Sequence, residues 1–407
     1  MMQNIDQPRS ERSITTSRRA DHLLFLDGLR AVAAIVVIWH HCWLQMYEHR
    51  TNWSYDPTYH YTKLLALGQY SVDLFIVLSG FCLALPVMRN AGRLKAGTVE
   101  FLKRRARRIL PPYYMAMAVS LVLIWTLIGH RTGTHWDISL PAGPVAIFIH
   151  LLLLQDLAAS GKINHVFWSI AVEWQIYFFF PVLLIFWRRI GAAKSTILAT
   201  IISVVLYLFL SALGNTHHAF TRLLGLNFPY YALFTFGVFA AAIATSDSAE
   251  VIAIKQCVNW SFAFAVVTAI ALIFDFVVGE QSLLEHVWML HYLFGIWAAT
   301  LLVTLTLAPQ HPLHRMLAWR PLVFLGTFAY SIYLIHAPLI QVLWQYILVP
   351  LHTSPAEQFW GLVVVGTPLF VGAAYLFFLC CERPFLQTRP HSSMLSLEKD
   401  AVENPAP

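Results

Sequence analysis

Four residues in one apolar run carry the chemistry that an apolar run has no use for. The stretch LFLDGLRAVAAIVVIWHH, residues Leu24 to His41, is about as long as a bilayer-spanning helix, yet it contains Asp27, Arg30, His40 and His41. An ionisable group within a span is costly, so its default reading is functional. Arg30 and His41 are eleven residues apart, which is close to three helical turns, so a helix puts them on one face roughly 16 Å apart along the axis. One end of that face can hold an anion while the other does acid–base work. Three more ionisable residues sit in later apolar runs: Asp73, Glu173 and His336. Taken singly, each also fits a hydrogen bond between helices.

A second group is FLKRRARRILPPYY, Phe101 to Tyr114, where Arg104, Arg105, Arg107 and Arg108 fall within five residues. Guanidinium forks suit phosphate oxygens. The competing account is an anchor contacting anionic lipid. Pro111 and Pro112 are expected to open the third helix, as proline does in a first turn.

The elements that must position these residues are membrane helices. The chain has 407 residues, 58% hydrophobic and 12% charged, against about 25% charged in a soluble domain. The apolar runs do not alternate as barrel strands would. The reading is all-α: a polytopic bundle of about ten spans, near 24–45, 68–88, 112–130, 168–187, 196–213, 228–245, 258–278, 287–308, 322–348 and 359–380. The run Val145 to Leu154 is too short to be a clear span. If it does not cross, loops on the side of the N-terminus hold 21 Lys and Arg against 5 opposite; if it crosses, the tally is 14 against 12. The positive-inside rule selects the first. Both termini are then cytoplasmic, and a re-entrant or interfacial helix near 142–156 lies on the outer side. Residues 1–21 read as a disordered tail with no cleavable signal, 22–388 as the membrane domain and 389–407 as a polar tail. No soluble domain and no internal repeat is evident. The five cysteines have neither metal nor disulfide spacing and read as small hydrophobes. The net charge of +6 reflects loop arginines and gives no reason to invoke nucleic acid.

With this topology, a rise of about 1.5 Å per residue puts His41, Asp73, Glu173 and His336 at one level in the outer half of the membrane. A hydrated cavity, or a set of pairs, is expected there.

The motifs together resemble the acyltransferase-3 family of integral membrane O-acyltransferases. The Arg30-to-His41 spacing, SVDLFIVLSGF (Ser71 to Phe81), the basic RRARRILPPY, HVFWSIAVEWQIYFFFP (His165 to Pro181), AYSIYLIHAPL (Ala329 to Leu339) and CERPF (Cys381 to Phe385) follow one another over about residues 22–386. Trp174 stands where many members have a second Glu. The resemblance implies transfer of an acyl group, most often acetyl and sometimes succinyl, from cytoplasmic acyl-CoA to a hydroxyl of a carbohydrate, glycolipid or cell-surface polysaccharide. It implies a bacterial cytoplasmic (inner) membrane. Some members carry an additional esterase-like domain outside the membrane.

The expected division of labour follows. Arg30 with Arg104, Arg105, Arg107 and Arg108 holds the CoA phosphates. His41 is a general base, or is itself transiently acylated. Glu173 or Asp73 orients its imidazole as a triad carboxylate would, with His336 the next candidate base. No metal is needed. The rival class is a proton-coupled transporter or a flippase, which intramembrane carboxylates would also suit, although matching broken helices are not evident. The sequence does not set the oligomeric state.

Overall fold

A computed structural model describes residues 23–47, 56–216, 221–285 and 287–386. The expected tails, 1–21 and 389–407, lie outside the described residues. Among the described residues the chain is helical with no strands. Nine helices among these residues are long and apolar enough to cross a membrane, or ten if one bent pair counts as a span.

The principal helices are α1 (Leu24–Tyr47), α2 (Ser71–Met88), α3 (Gly97–Leu123), α4 (Pro144–Leu151), α5 (Trp168–Ile190), α6 (Ala192–Thr216), α7 (Phe228–Thr245), α8 (Ala249–Cys257), α9 (Trp260–Glu285), α10 (Val287–Leu307), α11 (Ala329–Leu343) and α12 (Thr367–Phe377). The bent pair is α8 with the first part of α9, at 64°.

Two boundaries differ most from those expected, and a third element bears the expectation out. Pro111 and Pro112 lie inside α3, which starts at Gly97 and carries the whole arginine cluster on helix. Apolar bundles tolerate prolines within helices because neighbouring groups re-satisfy the backbone. The span expected from 322 begins at Ala329. A separate short helix, Arg320–Gly326, precedes it, because the chain turns where Gly326 presses against α1: a Cβ there would lie 1.9 Å from the Asp27 carbonyl oxygen. The run around 145–154 forms α4, only eight residues long. At about 1.5 Å per residue that is near 12 Å, too short to cross. Tyr113 and Tyr114 of α3 donate to the carbonyls of His150 and Leu151 at 3.0 and 2.8 Å, tying down its C-terminal end.

The tightest crossing is α2 on α7. A Cβ on Gly80 would lie 2.1 Å from Phe234 O, and one on Gly237 would lie 1.9 Å from Val77 O. Only glycine permits backbones to approach so closely, the usual device for packing helices in lipid. This crossing fixes the α2 face that carries Ser79 and Cys82, and α1 packs beside it.

Candidate active site

α1 contributes to two cavities. The first, about 310 Å³, opens around Arg30 near the N-terminal end of α1 and is also lined by Arg105, Arg108, Glu173, Tyr177 and Glu382. Arg30 is held from two sides: Nη1 pairs with Asp27 one turn earlier, and Nη2 donates to Cys82 Sγ at 3.1 Å. Cys82 is therefore a cavity-lining partner of the arginine rather than a plain small hydrophobe.

The arginine cluster divides by helical phase. Arg105 and Arg108, three residues apart, share the face that meets the cavity. Arg104 instead pairs with Glu100 at 3.8 Å, and Arg107 is exposed and does not line it. Arg105 lies with its guanidinium carbon 5.9 Å from the Phe101 ring centroid, and its Nε is buried with no hydrogen-bond partner. A buried N–H of a cationic group without an acceptor is expensive. It marks a place that an anion would complete.

The second cavity, about 930 Å³, surrounds His41 nearer the other end of α1. His41 Nδ1 lies 2.9 Å from Val37 O one turn back and 3.3 Å from His336 Nε2 on α11. His336 Nδ1 lies 2.8 Å from Tyr333 O and 3.2 Å from Ile332 O. Carbonyl oxygens only accept, so both imidazoles carry their proton on Nδ1. His336 Nε2 then offers a lone pair to His41 Nδ1–H. His41 Nε2 is left with its own lone pair, the state a general base requires. His40, one residue away, is buried with Nδ1 2.8 Å from Leu65 O and its Cβ tight against Gly68. It is a packing residue.

Two further histidines border this cavity, and sequence reasoning missed both. His165 stands just ahead of α5, with its ring centroid 5.2 Å from that of His41. His135 comes from a short helical turn, His135–Ser139, with its ring 4.4 Å from His165 and 5.9 Å from His41. His165 was visible within the HVFWS string. Nothing in the sequence says that the connection after α3 folds back over α1.

The carboxylates are placed otherwise than expected. Asp73 is fully buried, and both of its oxygens lie 3.0 Å from His291 Nδ1 on α10. That pair ties α2 to α10. Glu173 accepts from Tyr177 OH at 2.6 Å and from Ser79 Oγ at 3.2 Å, and it lines the arginine cavity. Neither carboxylate orients His41; His336 occupies that position. Depth along the membrane is one coordinate and rotation about each helix axis is another. The four residues expected at one level therefore separate into the pair His41–His336 and two carboxylates with partners of their own.

The sequence profile described as an acyltransferase domain matches residues 23–379. The chain belongs to the acyltransferase-3 family. It is similar to the O-acetyltransferase OatA of Staphylococcus aureus, 25% identical over 336 residues, covering 77% of this chain and 50% of that protein. It is similar to the putative peptidoglycan O-acetyltransferase YrhL of Bacillus subtilis, 25% identical over 374 residues, covering 85% and 50%. It also resembles the putative acetyltransferase ORF330 of Acidianus two-tailed virus, 27% identical over 157 residues, covering 38% and 39%. The chain spans about half the length of the first two relatives. No solved structure matches it.

In this acyltransferase-3 chain the two cavities share a partition. Tyr333 and Val72 line both. Tyr333 OH takes a hydrogen bond from Ser169 Oγ at 2.7 Å and donates to Val166 O at 2.9 Å, fastening α11 to the start of α5. Behind it, Ser331 donates to the buried Glu382 of the CERPF motif. Two motif strings far apart in sequence thus meet at the boundary between the arginine cavity and the histidine cavity.

Proposed function

We propose that this chain is a membrane O-acyltransferase that moves an acyl group, acetyl foremost, from cytoplasmic acyl-CoA to a hydroxyl of a carbohydrate or cell-surface polysaccharide. The observation that carries this reading is the pair of cavities meeting at Tyr333, one lined by Arg30, Arg105 and Arg108 and the other by an imidazole with a free lone pair. Arg30, Arg105 and Arg108 bind the CoA phosphates, the anion that Arg105 Nε lacks. Arg104 and Arg107 serve the membrane surface. The pantetheine arm passes Tyr333 and presents its thioester in the histidine cavity.

There His41 Nε2 takes the proton of the acceptor hydroxyl as its oxygen attacks the thioester carbonyl. The new C–O bond forms and the C–S bond breaks. The departing CoA thiolate recovers the proton from the His41 imidazolium, so the products are the ester and CoA thiol. While His41 is charged, His336 Nε2 and Val37 O both accept from its Nδ1–H, the service a carboxylate gives in a serine triad. Trp168, Tyr70 and Asn227 line the same cavity and suit a sugar, which needs flat apolar faces beside polar edges. The names of the bacterial relatives favour acetyl as the group and, for the Bacillus protein, peptidoglycan as the acceptor. That these two relatives are bacterial supports a bacterial membrane, and the positive-inside count supports cytoplasmic termini.

The test is transfer of labelled acetyl from acetyl-CoA to soluble peptidoglycan or glucan fragments by the purified chain. The expected product is an alkali-labile ester on the glycan that depends on His41. Uptake of labelled glycan into proteoliposomes with no ester formed would instead establish a carrier.

A further inference from the structure

The histidine cavity holds more imidazoles than the transfer reaction uses. Ligand nitrogens of His41, His135 and His165 all lie within 4.8 Å of one another. For His41 the atom with the lone pair is Nε2, because Nδ1–H is committed to Val37 O and His336. For His165, Nδ1 lies 3.1 Å from Ser139 Oγ, and Nε2 is buried with no hydrogen-bond partner. Metal-binding histidines are oriented in this way, one ring nitrogen held by a carbonyl or hydroxyl and the other left for the metal.

We propose that His41, His135 and His165 form a binding site for a divalent transition-metal ion, whose occupation switches the transferase off. Metal–nitrogen distances of about 2.0–2.1 Å around a tetrahedral ion put the nitrogens about 3.4 Å apart. The present separations, all within 4.8 Å, need to close by at most about 1.4 Å to reach that geometry. His135 rides on a short turn outside the long helices, so the closure falls on a connection and not on a span. The trio contains imidazoles alone, which selects zinc, copper or nickel over magnesium or calcium. Three histidines leave a fourth position for water. The ion consumes the lone pair on His41 Nε2, the same pair that removes the acceptor proton, so metal and catalysis exclude each other. The inhibition rests on the transfer reading above; the binding does not.

The probe is cobalt(II), titrated into the chelator-stripped, purified full chain. The expected result is one equivalent bound with the intense visible absorption of a four-coordinate cobalt ion, displaced by zinc. His135→Asn and His165→Asn should lose that band while eluting as the wild type does in size exclusion. His135→Cys should regain it with an added thiolate-to-cobalt band in the near ultraviolet, which only a coordinating side chain produces. In the transfer assay, zinc should lower the wild-type rate at least 10-fold, reversibly with EDTA. Half-inhibition of His135→Asn, relative to its own metal-free rate, should need at least 10-fold more zinc. No saturable band in the wild type, or an equal band in both Asn variants, overturns the site. One bound equivalent with undiminished transfer overturns the switch.

Discussion

His336 is the most informative residue to perturb, because the structure gives it the place usually held by a carboxylate. His41 Nδ1–H is shared between Val37 O at 2.9 Å and His336 Nε2 at 3.3 Å. A hydrogen bond to a charged group contributes about 1.5–3 kcal/mol. The His336 branch is the longer of two, so its share when His41 becomes imidazolium is about 1–2 kcal/mol. At about 1.4 kcal/mol per factor of ten, His336→Ala should lower kcat about 5- to 30-fold. The KM for acyl-CoA should not change, since the arginine cavity lies beyond Tyr333. His336→Gln can offer a carbonyl oxygen to the same N–H and should recover kcat to within a few fold of wild type. His41→Gln has no basic nitrogen and should lose about 100-fold or more, the scale of general-base removal. The assay is single-turnover transfer from acetyl-CoA to a soluble glycan, with acetyl-CoA binding measured separately. If His336→Ala and His336→Gln are both as inactive as His41→Gln, His336 is the base and the assigned tautomers are wrong. If His336→Ala is fully active, the shared hydrogen bond has no catalytic value.

Other expectations follow from the cavity linings and from one buried acid. Arg105→Ala and Arg108→Ala should each raise the KM for acyl-CoA about 10-fold or more with kcat little changed, because phosphate contacts persist from ground to transition state; Arg104→Ala and Arg107→Ala should leave KM within about 2-fold, and equal effects at all four positions would refute the division by helical phase. Tyr333→Ala, which removes the partition and its bonds to Ser169 and Val166, should raise acetyl-CoA hydrolysis in the absence of acceptor relative to transfer; an unchanged hydrolysis-to-transfer ratio would show that Tyr333 does not separate the cavities. Burial pushes the Asp156 carboxyl up to about 8, so between its ordinary value of about 4 and pH 8 the folded chain keeps a proton that the unfolded chain gives up, and stability falls as pH rises. Asp156→Asn should therefore raise the thermal midpoint more at pH 8 than at pH 5, and an equal gain at both would refute the assignment.

What the sequence disclosed and what it hid divide along a physical line. Each apolar run declares a helix through its own length, so the all-α bundle is legible without any tertiary information. That the run around 145–154 does not cross was legible only through the Lys and Arg tally, since its length alone left it ambiguous. The start of α3 was misplaced because proline carries a strong local signal, while the arginines before it carry a helical one that a span search ignores. The histidine site was half legible. His41 and His336 sit within helices that advertise their own ionisable residues. His135 and His165 come from the connection between α3 and α5, and a connection's path depends on contacts such as Asn164 Nδ2 to Leu334 O at 3.1 Å, which no local pattern encodes. The carboxylates failed for a different reason. Helical rise predicted a common level, yet Glu173 lines the arginine cavity with Arg30, and the rotation of α2 and α5 about their axes, set by packing such as the Gly80–Gly237 crossing, gives each carboxylate its own partner.

The same packing bears on the choice between an enzyme and a carrier. A carrier of glycans must open a sugar-wide path alternately to each side, and in known transporters that path lies between repeated halves with broken helices. Here the cavities share two lining side chains, Tyr333 and Val72, set in helices that pack against their neighbours. On the proposed reading, the pantetheine arm passes by parting these two side chains, whereas a glycan would need the helices themselves to separate. On that proposal the arginine side would retain the nucleotide and the histidine side the sugar, so that only the thioester end of the arm crosses between them. A partition made of side chains rather than of movable halves therefore supports the proposal of group transfer over that of substrate transport.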